Sequence, residues 1–208
     1  MADTARHPLP RGRHGLTREE VERAQRDRIL WALAEVMSHK GYVATSVADV
    51  IKAAGVGRET FYQLFSSKAD CFTRAFDAAS DVLLGTLTDG TPTGEPAERI
   101  DAAVGLYLET LAAFPTFARL FLVEVYAAGP EAMSVRAERQ RTIALRLAEL
   151  VGATSEADRF ASEALVAGIG AMVTMPLVDG DLEALRALRQ PITELVMRTL
   201  LPTPRPVA

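Results

Sequence analysis

Arg58, Glu59, Thr60, Tyr62 and Gln63 place five hydrogen-bonding side chains within six positions, with Lys68 beyond them and Thr45 before. Two of these types match base edges: the planar fork of an arginine contacts guanine bidentately, and a glutamine amide pairs with adenine. Tyr62, Thr45 and Lys68 suit phosphates, Lys68 because it falls in the first turn of a helix whose free amides also favour an anion. Val47, Val50, Ile51, Val56, Phe61 and Phe65 interleave with this set as an apolar base. Such a base holds a short helix proud, so that its outer side chains enter a major groove.

Bond-breaking chemistry has little to work with. Histidine occurs only at positions 7, 14 and 39, and Cys71 is the single cysteine, which excludes an internal disulfide framework and a multi-cysteine zinc site. Gly168-Ile-Gly170 is a fragment of a dinucleotide fingerprint without its third glycine or a preceding strand. No phosphate-loop, His-Glu-x-x-His or nucleophile-elbow pattern occurs, so no catalytic residue, metal or cofactor is expected.

The elements that would carry these side chains follow from caps and periodicity. Thr17-x-x-Glu20 is a capping box, and Ile29, Ala32, Leu33 and Val36 make one stripe of the helix it opens, which Gly41 ends. Trp31 lies nearly opposite Ile29, and a second packing layer is expected to cover it. Ser46-x-x-Asp49 opens a second helix with Val47, Val50, Ile51 and Ala54 on one face, closed by Gly55 in a left-handed cap. A third helix is expected over about 58–65, and Ser67-x-x-Asp70 caps a fourth that runs to about Thr88. Beyond the Gly/Pro-rich loop 89–96, helices are read at 97–113, 116–128, 131–151, 156–178 and 181–201, the last kinked or divided by Pro191. With no alternating strand pattern anywhere, the fold class is all-α.

Residues 45–72, from Thr45-Ser-Val-Ala-Asp-Val-Ile through Gly55-Val-Gly-Arg-Glu-Thr-Phe-Tyr-Gln-Leu-Phe65 to Ser-Ser-Lys68-Ala-Asp-Cys-Phe72, resemble the DNA-binding domain of the TetR (tetracycline-repressor-like) family. The preceding Arg28-Ile-Leu to Gly41-Tyr42 is similar to that family's first helix, and the likeness covers about residues 24–74. It implies a three-helix helix-turn-helix reader followed by a larger helical ligand-binding and dimerisation domain. It also implies a homodimer on a palindromic double-stranded operator, with repression released by a small molecule. Two positions depart from the pattern. Gly57 replaces a Ser or Thr cap at a cost of a few tenths of a kcal/mol, and Cys71, in place of an aliphatic residue, should be a buried, inert thiol.

Charge agrees independently. The net charge of -4 averages two unlike halves: residues 1–74 hold 12 Lys+Arg and 9 Asp+Glu, and residues 75–208 hold 11 and 18. All three lysines fall in the first half, together with Arg6, Arg11 and Arg13 of an N-terminal arm that either follows a minor groove or only solubilises. The chain therefore divides into a flexible basic arm at 1–16, a reader at 17–74, a ligand and dimerisation domain at 75–202 and a tail at 203–208.

In the second half Tyr107, Leu111, Phe114, Phe117 and Phe121, with Met172 and Met175, are candidates to line a lipophilic pocket or to form plain core. Glu124 projects from the apolar face of 116–128 and either borders that pocket or pairs with an arginine such as Arg99 or Arg146. A ridge of small residues, Ala157, Ala161, Ala164, Gly168 and Ala171, joins Leu182, Leu185, Leu188, Ile192, Leu195 and Val196 as the expected seam between two subunits. The apolar stretch 164–178 is 15 residues long, short of the roughly 20 that a membrane span needs. The arm carries no secretory signal, so a cytoplasmic protein is expected. The rival to a ligand-controlled regulator is a helix-turn-helix regulator or architectural protein governed by a protein partner.

Overall fold

A computed structural model describes residues 17–89, 94–153 and 155–201. The expected basic arm, the centre of the 89–96 loop and the tail lie outside these residues. Ten α-helices follow in order among the described residues: α1 Arg18–Ala44, α2 Val47–Ala54, α3 Arg58–Leu64, α4 Lys68–Asp89, α5 Pro96–Ala113, α6 Pro115–Leu122, α7 Pro130–Val151, α8 Glu156–Asp179, α9 Leu182–Ala187 and α10 Arg189–Leu200. A 3₁₀ turn, Glu124–Ala127, joins α6 to α7. The fold is all-α.

The starts of the first helices obey the capping rules. Thr17 accepts from the Glu20 amide at 3.2 Å while its own amide donates to the Glu20 carboxylate at 2.6 Å. Ser46 and Asp49 repeat the exchange at 3.2 and 3.0 Å. At α4, Ser67 accepts from the Asp70 amide, and the Asp70 carboxylate reaches back to the Ser66 amide at 2.7 Å. Gly55 closes α2 in the left-handed region at φ 63°, and Gly57 opens α3 without a side-chain cap.

Inside the reader, Ile29, Leu33 and Met37 of α1 pack with Val50, Phe61, Phe65, Cys71 and Phe72, all buried. Burial pushes the Cys71 thiol up to about 12, so the thiolate is absent at neutral pH and the side chain behaves as a small hydrophobe. α4 then carries an aromatic series out of the reader: Tyr42 meets Phe72 edge-on at 5.3 Å, Phe72 lies 6.4 Å from Phe76, and Phe76 stacks on Phe121 of α6 at 4.5 Å.

Two expectations about helix geometry need correction and one is refined. The helix read at 116–128 ends at Leu122, and Val123 at φ -117°, ψ -60° leads into the 3₁₀ turn. β-Branched Val123 and Val125 are poor helix formers, and Gly129-Pro130 stops the chain soon after. The final helix is divided as expected of Pro191, and the break falls one turn before it, at Leu188, because proline has no N–H to donate to Ala187. The 15-residue apolar stretch is part of the 24-residue α8, which by length and composition is long enough to cross a membrane. Here α8 instead packs its inner residues Leu165, Val173 and Leu177 on α6, α7 and α10.

Trp31 also departs from expectation: it is 54% exposed, with only the edge-on ring of Phe117, 4.4 Å away, over it.

Within α1, Gly41 adopts φ 75° and ψ 164°, a region open essentially to glycine alone. Gly41→Ala is therefore expected to lower stability by about 1–3 kcal/mol. Gly85→Ala, in mid-α4 with no atom within 4 Å of the added methyl, should raise it by about 0.5–1 kcal/mol. Urea denaturation of the two variants measures both shifts.

Candidate nucleic-acid interface and ligand cavities

α3 stands on the buried side chains of Phe61, Phe65 and Val50, which leaves Arg58, Glu59, Tyr62 and Gln63 exposed and Thr60 half-buried. These outer groups hold one another only weakly. The Gln63 amide donates to Glu59 at 3.3 Å, and the Arg58 guanidinium lies 5.5 Å from the centre of the Tyr62 ring. Both contacts sit in water, where a base edge can displace them at small cost. Lys40 pairs with Asp49 at 2.7 Å and pins the end of α1 to the start of α2. The Lys40 ammonium, helped by hydrogen bonds from Ser46, holds the Asp49 carboxyl far below the usual carboxylate range.

Thr45 and Lys68 are placed differently from the free phosphate contacts expected of them. Thr45 is buried, and its hydroxyl donates to the Gly41 carbonyl at 2.8 Å. The Lys68 ammonium donates to the Tyr42 and Thr45 carbonyls, each at 2.8 Å, and lies 4.1 Å from the Tyr42 ring centre. The helical path of α1 breaks at Gly41, and these two side chains add donors to the carbonyls around the break, of which that of Tyr42 also accepts the Thr45 amide at 3.2 Å. Burial lowers the Lys68 pKa, and two of its three N–H donors are used inside the fold.

Glu124 occupies neither expected position. Its carboxylate accepts the Tyr42 amide at 2.7 Å and lies beside Gly41, so it joins the 3₁₀ turn after α6 to the broken end of α1. A wheel drawn at 100° per residue aimed it at Phe117 and Phe121. The 3₁₀ turn advances 120° per residue and turns it toward α1 instead.

Two cavities flank Phe121. The first, with about 110 Å³ of interior space, lies among α4, α5, α6, α7, α8 and α10 and is lined by Ile100, Val104, Tyr107, Phe121, Ile143, Leu147 and Ile169, among others. Gln140 and Arg146 supply its polar groups, and Arg146 is paired with Glu149 at 2.8 Å. The second, with about 200 Å³ of interior space between α1, α4, α5 and α6, is bordered by Trp31, Leu111, Phe114, Phe117 and Phe121, with Asp27 at its polar edge. The five expected lining residues thus split between two spaces, Tyr107 in the first, Leu111, Phe114 and Phe117 in the second, and Phe121 in both.

Met172 and Met175 line neither of these cavities; they are 45% and 59% exposed on the outer side of α8. Gln140, Ile143 and Leu147 were missed, although their spacing of three and four along one helix face was visible in the sequence.

The outer side of α8 also exposes Phe160, Ala164 and Ala171. Leu185, Ile192 and Val196, assigned beforehand to the subunit seam, are instead buried within the chain. Their α9 and α10 pack on α5, where Arg186 and Arg189 pair with Glu109 and Asp101.

Comparison with known proteins agrees with this arrangement. Residues 29–75 match the family described as bacterial regulatory proteins, tetR family. An uncharacterized HTH-type transcriptional regulator of Bacillus subtilis, YvdT, is 48% identical over 42 residues, a span of 20% of this chain and 22% of that protein. Among solved structures, the fatty acid degradation regulator FadR of Bacillus halodurans superposes with a TM-score of 0.72 at 21% identity, covering 83% of this chain and 94% of its own. FadR of Bacillus subtilis, solved in complex with stearoyl-CoA, gives 0.70 at 21% identity, with 82% and 96% covered. At these identities the structural likeness shows the fold.

Removing the Glu124 carboxylate tests the joint. Glu124→Ala should cost about 1.5–3 kcal/mol, the worth of a hydrogen bond to a charged group. Glu124→Gln, whose amide oxygen can still accept from Tyr42, should lose less than half of that in the same urea titration.

Proposed function

Taking the chain as a transcriptional regulator of the tetR family, we propose that it acts as a homodimeric repressor in the cytoplasm. It leaves a palindromic operator when a small, largely apolar ligand enters the cavity beside Phe121. The observation that carries the DNA half of this reading is α3 itself: a buried base under four exposed side chains, two of which suit base edges. Arg58 and Gln63 read bases, Glu59 and Thr60 border them, and Tyr62 meets the backbone with the one Lys68 N–H not used internally. Thr45 acts from behind by fixing the end of α1.

Support for the ligand half comes from the small number of polar groups around the cavity between α5, α7, α8 and α10 and from the FadR structure with stearoyl-CoA. A long acyl chain is an occupant of suitable chemistry. The exposed apolar face of α8, with Phe160 75% exposed, supports the dimer, because an apolar surface of this kind is normally covered by a partner. Two readers so joined would meet half-sites roughly 34 Å apart.

Selection of bound sequences from random double-stranded DNA provides the operator and tests the reading. A palindrome occupied by two chains is expected. Arg58→Ala and Gln63→Ala should relax preference at single base positions, each by about 1–3 kcal/mol. Lys68→Ala should weaken binding to every sequence and lower the salt slope by about 0.9. Binding without sequence preference, or a salt slope unchanged in Lys68→Ala, would overturn this docking.

A further inference from the structure

Arg136 stands on α7 one turn before Gln140, which lines the cavity between α5, α7, α8 and α10, and it is only 6% exposed. Its Nε is buried without a hydrogen-bond partner, and no carboxylate among the described residues lies within ion-pairing reach of the guanidinium. Arg119, whose Nε is likewise unpartnered, at least donates an Nη1 bond to the Val178 carbonyl at 3.0 Å. Arg136 has only the face of Tyr126, 5.0 Å from its guanidinium carbon. A cation this deep is costly unless it is paired and hydrogen-bonded.

Two further polar groups nearby lack partners. The Tyr107 hydroxyl and the Gln140 amide belong to residues that line the cavity, and neither makes a hydrogen bond among the described residues. The positive charge of Arg136 is close enough to act on the Tyr107 hydroxyl, whose pKa is raised chiefly by burial. Tyr107 and Gln140 thus border the cavity as donors without acceptors, and Arg136, one turn along α7 from Gln140, adds an unpaired positive charge beside a space whose one other cation, Arg146, is held by Glu149. A planar guanidinium is matched in shape by a carboxylate.

We propose that Arg136, with Tyr107 and Gln140, binds the carboxylate head of an amphiphile whose apolar chain lies in the cavity between α5, α7, α8 and α10. This assignment rests on the cavity being the ligand site and adds to it the charge of the ligand and the residues that read that charge.

Calorimetric titration of the full chain with dodecanoate, 1-dodecanol and dodecanoyl-CoA tests it, since the three share one chain length and differ in the head. Dodecanoate should bind about tenfold to a hundredfold tighter than the alcohol, the range expected of hydrogen bonds to a charged group. In Arg136→Met that preference should all but vanish. In Tyr107→Phe, which keeps the ring, dodecanoate should weaken severalfold while the alcohol is unaffected. Without ligand, Arg136→Met should melt no lower than the parent, because the charge it removes has no carboxylate partner and a thioether can still pack on the Tyr126 ring.

Equal binding of acid and alcohol by the parent overturns the proposal, as does a preference that survives in Arg136→Met or a large fall in that variant's melting temperature. Tighter binding of dodecanoyl-CoA than of dodecanoate would move recognition to thioester or phosphate groups and overturn the carboxylate assignment. Operator release by the alcohol alone would overturn it while leaving the repressor reading in place. Binding of none of the three would remove both.

Discussion

One carboxylate ties the backbone of the first half of this chain to the second. Glu124, just after α6, accepts the amide of Tyr42, just after the break in α1, at 2.7 Å. The break makes the bond available: Gly41 leaves the helical path in a conformation that side chains rarely adopt, and so frees the next amide from its intrahelical partner. On the other side of the same residue the Tyr42 carbonyl is held by Lys68 from α4. The end of α1, the start of α4 and the end of α6 therefore meet at one residue, and the turn into α2 begins there.

That meeting point is also where the cavity between α5, α7, α8 and α10 can act on the reader. Phe121 and Leu122, the last residues of α6, form part of its wall, and Glu124 follows two positions later. Phe121 stacks face to face on Phe76, and the aromatic series through Phe72 to Tyr42 runs parallel to the carboxylate link. Closely packed interiors shift between discrete arrangements rather than deforming smoothly. An occupant that displaces the end of α6 must then either stretch the Glu124 bond or carry Tyr42 with it. Because Lys68 and Thr45 are both tied to this corner, movement there changes the platform on which α3 stands.

Local rules made much of the architecture legible. Three serine or threonine caps with acidic partners, and Gly55 and Gly41 as stops, follow from interactions within four residues of sequence, and they stand where they were expected. Arg58, Tyr62 and Gln63 were legible for the same reason, since a seven-residue helix with one strongly apolar side has one way to lie on its base. The residues that were misplaced depend on distant partners. Glu124 is bound 82 positions away, through a turn whose tighter winding rotated it off the expected face. Met172 and Met175 lie on a helix apolar on nearly every side, where periodicity gives no direction, and only packing on α6, α7 and α10 decides which side is inner. Lys68 was read as a phosphate hand because nothing local revealed that carbonyls 23 and 26 residues earlier would need its protons.

Amide hydrogen exchange at Tyr42 is the most direct test of this coupling, and it needs no ligand if the cavity is filled from its own wall. Gly170 lines the cavity, and a methyl placed on it would lie 3.8 Å from Leu122, so Gly170→Leu introduces bulk beside the end of α6. The coupling predicts that Tyr42 exchanges about tenfold faster or more in this variant, a local opening eased by roughly 1.4 kcal/mol. Amides of Ile29, Leu33 and Met37 in the same α1 should keep their protection. Tyr42 exchange equal to that of the parent, or a uniform acceleration along the whole of α1, would contradict it.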